Sequence, residues 1–395
     1  MRYLYAWEND TLIGRFYEDD GKVSFAYARD ATSPISLSLP LNGNWHEDAP
    51  LAFLDGLLPE GQQWRIQMKN SLKAASTDSF DLLDSVDSTG GLVFTSQATS
   101  PSLKAEASIA TDADIESQMQ RIYDVSNAWW NENDRNRFSL AGNQGKFSLA
   151  FIHGTWFWPN ATLPSTHIMK PDPKATPDVA LVEHATLEIA RQIGIRAAAT
   201  SVVRYGARVG LLVERFDRVV DLKTKTIRRL RTEDMTQATG AWGKDKYDFE
   251  IGELIQCLRQ AHADESVIYG LVRQIAFNAC IGNHDAHAKN YSVFIERNGI
   301  RLCPLYDAIS MAHWPVFRDD VLAMPVNGVY DPWEVTIDDW REEAKAAGLD
   351  PDRVEHIVHD VVESLRRVDY EGLPCGQDIG AEIRDYMLEC CRDLA

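Results

Sequence analysis

From residue 249 to 281 apolar side chains recur at helical spacing. Ile251, Leu254, Ile255 and Leu258 come first, then Ile268, Leu271, Val272, Ile275 and Ala276, and the pattern stops at Ile281-Gly282. Directly after it stand Gly282-Asn283-His284-Asp285-Ala286-His287-Ala288-Lys289-Asn290, followed by an apolar strand over 291–295. A buried helical stem that opens into an acid, two imidazoles, an amine and an amide restricts the folds this chain can adopt. The stem must be covered by other elements, and the loop must sit where polar groups are satisfied or used. A lone D-x-x-x-x-N most often caps a turn. The same spacing also suits phosphoryl transfer, with Asp285 accepting a hydroxyl proton and the Asn290 amide oxygen ligating Mg²⁺. Asp307, in Leu305-Tyr306-Asp307, is a second hard-oxygen ligand within reach in sequence, and Mg²⁺ needs few protein ligands when nucleotide phosphates supply others. A reading of His284, Asp285 and His287 as metal ligands lacks any second His-Asp cluster to complete it.

Upstream of the stem the chain is richer in strands. Residues 3–7, 12–17 and 23–28 are aromatic and β-branched runs separated by Asn9-Asp10 and Asp19-Asp20-Gly21. Residues 35–39 alternate polar and apolar, as a half-buried strand would. A helical stretch over about 50–75 is interrupted at Pro59-Glu60-Gly61, and 95–113 reads as a Ser/Thr/Ala-rich linker. An acidic helical segment follows, carrying Ile115, Met119, Ile122, Tyr123 and Trp129-Trp130. Strands are expected at 147–153, 166–169, 200–205 and 210–216. Asp178 is a natural N-cap for a helix that runs to about 193, where Gly194 stops it. Two acidic helices, about 350–368 and 376–393, close the chain. No internal repeat is present, and strands followed by helices give an α+β class.

Charge narrows the function. The 395 residues carry 59 acidic and 40 basic side chains, a net of -19, which argues against coating nucleic acid unaided. Residues 135–232 nevertheless hold 16 bases and 7 acids, and this one positive segment is where an anionic ligand is expected. No run of apolar residues reaches membrane-spanning length. The first residues lack an export-signal pattern, and the six cysteines form no C-x-x-C, so a reduced, cytoplasmic chain is expected.

Three further stretches lie in or beside that segment. Ser139-Leu140-Ala141-Gly142-Asn143-Gln144-Gly145-Lys146 leads into a strand, and its small residues would let backbone N–H groups approach phosphates, although it is not a Walker A sequence. Thr166-His167-Ile168-Met169-Lys170 ends a strand in a lysine that could reach phosphates, partnered by a helical carboxylate. Glu183 and Glu188 are the candidates, and being about 140° apart on a helix they cannot both face it. Val213-Glu214-Arg215-Phe216-Asp217-Arg218 suits either a hinge whose backbone meets adenine beside Phe216 or a strand edge ending in a surface salt bridge.

Taken together, S-x-A-G-x-Q-x-K, T-H-I-x-K, V-E-R-F-D-R, T-E-D-M-x-Q, N-x-D-x-H-A-K-N and Y-D, in that order, resemble the HipA-type serine/threonine kinases, toxin components of bacterial toxin–antitoxin pairs. Residues 35–41 and 54–61 resemble the family's N-terminal module. The resemblance implies a two-lobed, protein-kinase-like α+β fold, with a module over 1–110, a β-rich N-lobe over 111–220 and a helical C-lobe over 221–395. It implies ATP and Mg²⁺ as cofactors and Asp285 as the catalytic aspartate, with Lys170 and His287 beside the phosphates. Asn290 and Asp307 become the metal ligands. Ser139, Gly142, Gln144 and Lys146 belong to the phosphate loop, Glu183 partners Lys170, Glu214 and Phe216 form the hinge, and Asp217 lies near the ribose. Ser139 also matches the serine whose autophosphorylation ejects the loop and silences the kinase. The family's substrates include aminoacyl-tRNA synthetases, and its partner is a small helix-turn-helix antitoxin, HipB-like, through which DNA is met indirectly. Two departures stand out: Gly145 where the family loop has an acid, and Val182 where the helix often begins Asn-Glu. A small-molecule kinase, a pseudokinase or a co-repressor acting with a DNA-binding partner are the alternatives.

Overall fold

The computed structural model describes residues 1–101, 107–130, 137–221, 223 and 226–394, so 102–106 of the expected linker lie outside the described residues. Two compact units emerge. One comprises Met1–Ala180, Ala199–Lys244 and Phe294–Arg297; the other comprises Leu181–Ala198, Asp245–Val293 and Asn298–Ala395.

The first unit holds two large antiparallel sheets and a two-stranded one, Arg218–Asp221 with Thr226–Arg229. In the four-stranded sheet the order is Lys22–Tyr27, Thr11–Asp19, Arg2–Glu8, Leu92–Thr95. The three N-terminal strands fall where alternation and turn residues place them, with Asn9 and Asp20 in the left-handed conformation at the reversals. The helices Ala49–Gly56 and Gln62–Leu72 follow, divided as expected around Pro59-Glu60-Gly61. Phe16, Phe53 and Phe94 pack together beneath this sheet, each ring fully or nearly buried. The six-stranded sheet runs Ser108–Ile109, Thr155–Trp158, Phe147–Ile152, His167–Pro171, Arg208–Glu214, Thr200–Tyr205. The helix Asp112–Asp124 lies against it through Ile115, Met119 and Ile122, and Thr111 and Asp114 form a reciprocal capping box at its start. This helix ends at Asp124, so Trp129 and Trp130 belong to the loop beyond it, where they stack in series with Phe138. Burial of each such ring contributes about 1.5–3 kcal/mol.

Residues 35–39 are not a strand. Ile35 and Leu39 are buried as alternation requires, but Pro34 and Pro40 bracket a run of bends and turns. Its backbone is satisfied locally and by side chains: Leu37 N–H donates to the Glu233 carboxylate (2.8 Å), Ser38 N–H to Ser36 Oγ (3.1 Å) and Leu39 N–H to Ser36 O (3.1 Å).

The second unit is mostly helical. Its stem divides into Ile251–Gln260 and Glu265–Cys280, with His262 left-handed in the break. Helices Pro351–Leu365 and Gln377–Cys390 match expectation, while Ile337–Ala346, opened by a Thr336–Asp339 capping box, was not anticipated. The helix Val179–Gln192 stops at Gly194 (φ +80°) as expected. Asp178, directly before its first residue, is left-handed (φ +66°), and within the first unit the Asp172 carboxylate takes the Ala180 N–H at 2.7 Å. Among the described residues no helix is long and apolar enough to cross a membrane.

Candidate functional site

The first unit carries the loop 139–146. Lys146 is buried beneath it, donating from Nζ to the Ala141 carbonyl (2.8 Å) with its ammonium over the Trp129 ring (5.5 Å). Gly142 has φ +95°, and a Cβ there would lie 2.9 Å from Lys146 Nζ. Gly145 has a steric reason of its own, since a Cβ would come within 2.4 Å of Ile122 Cγ2. The loop is built for a glycine at that position. Gln144 is half-buried, and Asn143 reaches the Glu60 carboxylate at 3.4 Å. Ser139 is fully buried: its Oγ donates to the Leu57 carbonyl (2.6 Å) and its N–H to the Asp87 carbonyl (2.8 Å). Lys170 is buried near the end of an interior strand, paired in register with Leu211.

The V-E-R-F-D-R stretch ends its strand in ion pairs, but these are buried and not at the surface. Glu214 is exposed at the strand end, and Phe216 is half-buried with its ring edge-on to Phe294 (5.9 Å, 75°). Arg215, Asp217 and Arg218, however, form a buried ionic cluster with Asp87, Arg229 and Ser165. Asp217 accepts from Arg215 Nε (2.9 Å) and Nη2 (2.7 Å) and from Arg218 Nη1 (2.7 Å). Both of its oxygens thus accept arginine hydrogen bonds within the core. Asp87, which sequence reading missed, accepts from Arg229 (2.8 and 3.1 Å), Arg218 (3.2 Å) and Ser165 N–H and Oγ–H (2.9 and 2.5 Å). Burial alone would raise its carboxyl pKa, but Arg218, Arg229 and Arg215 outweigh that and hold it well below the usual carboxylate range. Burial likewise lowers the Arg218 guanidinium to about 10. The Asp87 backbone in turn brackets the loop: its N–H donates to Arg137 O and its carbonyl takes the Ser139 N–H. The cluster is therefore the mount on which the loop starts.

In the second unit the stem delivers 282–290 as expected. Gly282 is left-handed (φ +70°), and a Cβ there would meet the Tyr386 ring at 2.1 Å. Asn283 donates from its backbone to Asn278 O (2.9 Å) and from its amide to Asn278 Oδ1 (3.0 Å). His284 engages Phe317 O through Nδ1 (3.1 Å) and Tyr386 Oη through Nε2 (2.9 Å), and burial lowers its pKa. With both nitrogens engaged it is no metal ligand, and among the described residues no group of three His, Cys, Asp or Glu could hold a metal ion. In 281–290 Asp285 alone is exposed, while His287, Lys289 and Asn290 are buried. Asn290 Nδ2 donates to the Asp307 carbonyl (3.3 Å), which leaves Oδ1 as the oxygen for a hard cation. Asp307 is half-buried in the left-handed region (φ +55°), a conformation that non-glycine residues hold at a cost. The amide and carboxylate oxygens of these two residues fit Mg²⁺ chemistry. Sequence reading also missed Tyr247, whose hydroxyl donates to Asp285 Oδ1 at 2.6 Å. Of the two helical glutamates, Glu188 pairs with Arg191 at the surface (2.5 Å) and Glu183 is buried.

Comparison with known proteins agrees with this arrangement. Residues 4–93 match the HipA N-terminal domain and residues 138–368 the HipA-like C-terminal domain. The Sinorhizobium fredii protein Y4mE is 30% identical over 394 residues, covering 93% of this chain and 92% of its own. The serine/threonine-protein kinase toxin HipA of Shewanella oneidensis is 28% identical over 349 residues, covering 82% and 78%. A solved structure of Shewanella oneidensis HipA with HipB and operator DNA has the same fold, with a TM-score of 0.82, 23% identity and coverage of 99% and 96%. The kinase-type loop on its buried stem, the mounted glycine loop and both domain matches place this chain in the HipA family of serine/threonine kinase toxins.

Proposed function

We propose that this protein transfers the γ-phosphoryl group of Mg·ATP to a serine or threonine hydroxyl of a protein, as the toxin of a toxin–antitoxin pair. The observation that carries the reading is the loop 281–290, where Asp285 is the one exposed side chain and Asn290 is tied to Asp307. Asp285 accepts the proton of the acceptor hydroxyl. Asn290 Oδ1 and the Asp307 carboxylate would hold Mg²⁺, which when bound neutralises and aligns the phosphates. Lys170, His287 and the 139–146 loop with Lys146 serve the phosphates, and Glu214 with Phe216 serves the adenine. Glu183, being the buried glutamate, is the helical carboxylate retained. Positioning and charge stabilisation supply most of the rate. At about 4 Å and an effective dielectric of about 20, each well-placed charge contributes on the order of 4 kcal/mol before desolvation.

Autophosphorylation of Ser139 is part of the proposal. A phosphate on a fully buried hydroxyl bonded to Leu57 O cannot stay in place, so the modification requires the loop to leave its mount. The substrate class is a cytoplasmic translation protein, such as an aminoacyl-tRNA synthetase. The partner is a HipB-like antitoxin, supported by the assembly of the Shewanella oneidensis relative with HipB and operator DNA. With a net charge of -19, contact with DNA is indirect. Incubating the full chain with radiolabelled Mg·ATP tests the reading. Wild type should incorporate phosphate, mapped to Ser139 by mass, and Asp285→Ala should stay near background. Equal incorporation by the two would sink it.

A further inference from the structure

Tyr247 occupies the oxygen that the proposed reaction needs. Its hydroxyl donates to Asp285 Oδ1 at 2.6 Å, within the range of a charge-assisted O–H···O⁻ bond. A substrate serine would present the same kind of donor to the same carboxylate. Tyr247 is 51% exposed, against 5% and 6% for His284 and His287 within the loop. Its ring meets the His287 ring edge-on (4.9 Å, 79°), and the Lys246 ammonium lies over it at 5.0 Å. The backbone beside it is held: Ala288 N–H donates to Lys246 O (3.2 Å), and Asp248 N–H to Asp245 O (2.9 Å). A fixed backbone under a half-exposed ring leaves side-chain rotation as the motion that moves the hydroxyl.

The phenol is not what supports the loop. Met311 N–H to Gly282 O (3.0 Å), Ala323 N–H to His284 O (3.0 Å), His287 N–H to Asp285 O (2.8 Å) and the Asn283–Asn278 bonds fix 282–290 without it. We infer that Tyr247 is a resident occupant of the acceptor position, a phenol that stands in for the substrate hydroxyl at Asp285 and must rotate away before an acceptor can bind. This rests on the reading of Asp285 as the proton acceptor. Tyr247 thus sets a threshold: a weakly held hydroxyl, water included, competes poorly for Asp285, whereas an acceptor with docking contacts of its own displaces the ring.

The test uses the full chain with Mg·ATP in three forms: wild type, Tyr247→Phe and Asp285→Ala. Initial rates of ADP release, less the phosphate incorporated into the chain itself, are measured without added acceptor and then across a concentration series of dephosphorylated casein as a serine-bearing probe. Tyr247→Phe keeps the ring and removes only the hydroxyl, and an unchanged melting temperature checks its fold. Its ADP release should rise, and KM for casein should fall about three- to tenfold with a smaller change in kcat, the range left to a charge-assisted hydrogen bond under solvent competition. If Tyr247→Phe matches wild type or is slower while Asp285→Ala is silent, the occupant role is overturned and Asp285 stands. If wild type and Asp285→Ala release ADP equally, the reading of Asp285 fails and the inference falls with it.

Discussion

Replacing Asp87 with alanine should unfold the first unit more readily than any surface change. Its carboxylate accepts five hydrogen bonds, from Arg229 twice, Arg218 once and Ser165 twice, and all three of these residues are buried. In the intact cluster Arg215, Arg218 and Arg229 face two carboxylates, Asp87 and Asp217; the variant leaves them facing one. Removing one partner of a buried ionic group costs about 3–5 kcal/mol, because the remaining charges stay desolvated. Against a total stability of about 5–15 kcal/mol, that is a large share. Urea unfolding of the full chain, followed by tryptophan fluorescence, measures it, since Trp129 stacks on Trp130 and Trp130 on Phe138, next to Ser139. Glu389→Ala is the control: its pair with Arg318 is about half exposed, so about 0–1 kcal/mol is at stake. The pH dependence has a definite sign. Because the folded pKa of Asp87 is depressed, its contribution is present above the ordinary carboxylate pKa of about 3.9 and is lost as the pH falls. The gap between wild type and Asp87→Ala should therefore stay constant from neutral pH down to about 4 and close only in stronger acid. A midpoint shift no larger than that of Glu389→Ala would refute the reasoning.

Glu233 gives the opposite slope. Its carboxyl is pushed up to about 8, chiefly by burial, so the folded protein keeps a proton that the unfolded chain has lost above its ordinary pKa. Stability from this group is full below about pH 4.5 and declines as the pH rises through the folded value, so Glu233→Gln should gain on wild type between pH 5 and about 8, read from melting curves across pH. Gly145→Ala should cost about 1–3 kcal/mol by forcing a Cβ into Ile122, and Ile122→Ala in the same chain should recover part of it in a double-mutant cycle. Ser139→Glu cannot be accommodated at a fully buried position, so limited trypsin digestion should cut at Arg137 and Lys146 faster than in wild type.

Elements whose signal is local were legible in the sequence. The three N-terminal strands, the Pro59-Glu60-Gly61 interruption and the stem that ends at Gly282 all follow from period, turn residues and caps. Residues 35–39 misled because burial there does not alternate: Ile35 and Leu39 are buried, but so is Ser36, while Leu37 is half-buried, and Glu233, almost 200 residues away, takes the place of a neighbouring strand. A helix start needs acceptors for its first N–H groups, and Asp172, eight residues before Ala180, supplies one that no local pattern marks. The loop 282–290 of the proposed site could be read because its groups stand within nine residues. Tyr247 and Asp87 could not, since their partners lie 38 and up to 142 residues away and nothing near either in sequence marks the contact.

The positive charge of residues 135–232 shows the same limit in electrostatic form. Four of its arginines, Arg215, Arg218, Arg229 and Arg231, are buried in ion pairs, and two of the acids that pair with them, Glu8 and Asp87, lie in the acidic N-terminal part of the sequence. Segment sums separate partners that folding brings together, so they overstate the field available to a ligand. Of the acids in these buried pairs only Asp217 belongs to the segment itself. Lys146 and Lys170, both buried, stand on the two elements that the kinase reading assigns to phosphates. The buried arginines also bear on that function, since they fix Asp87, and the Asp87 backbone fixes the first residues of the loop. A charge substitution in the cluster should therefore disturb phosphate binding through the position of the loop, whereas one at Lys146 or Lys170 should disturb it directly. Stability and nucleotide affinity measured on the same variants separate the two: cluster variants lose both together, and the lysine variants lose affinity out of proportion to stability.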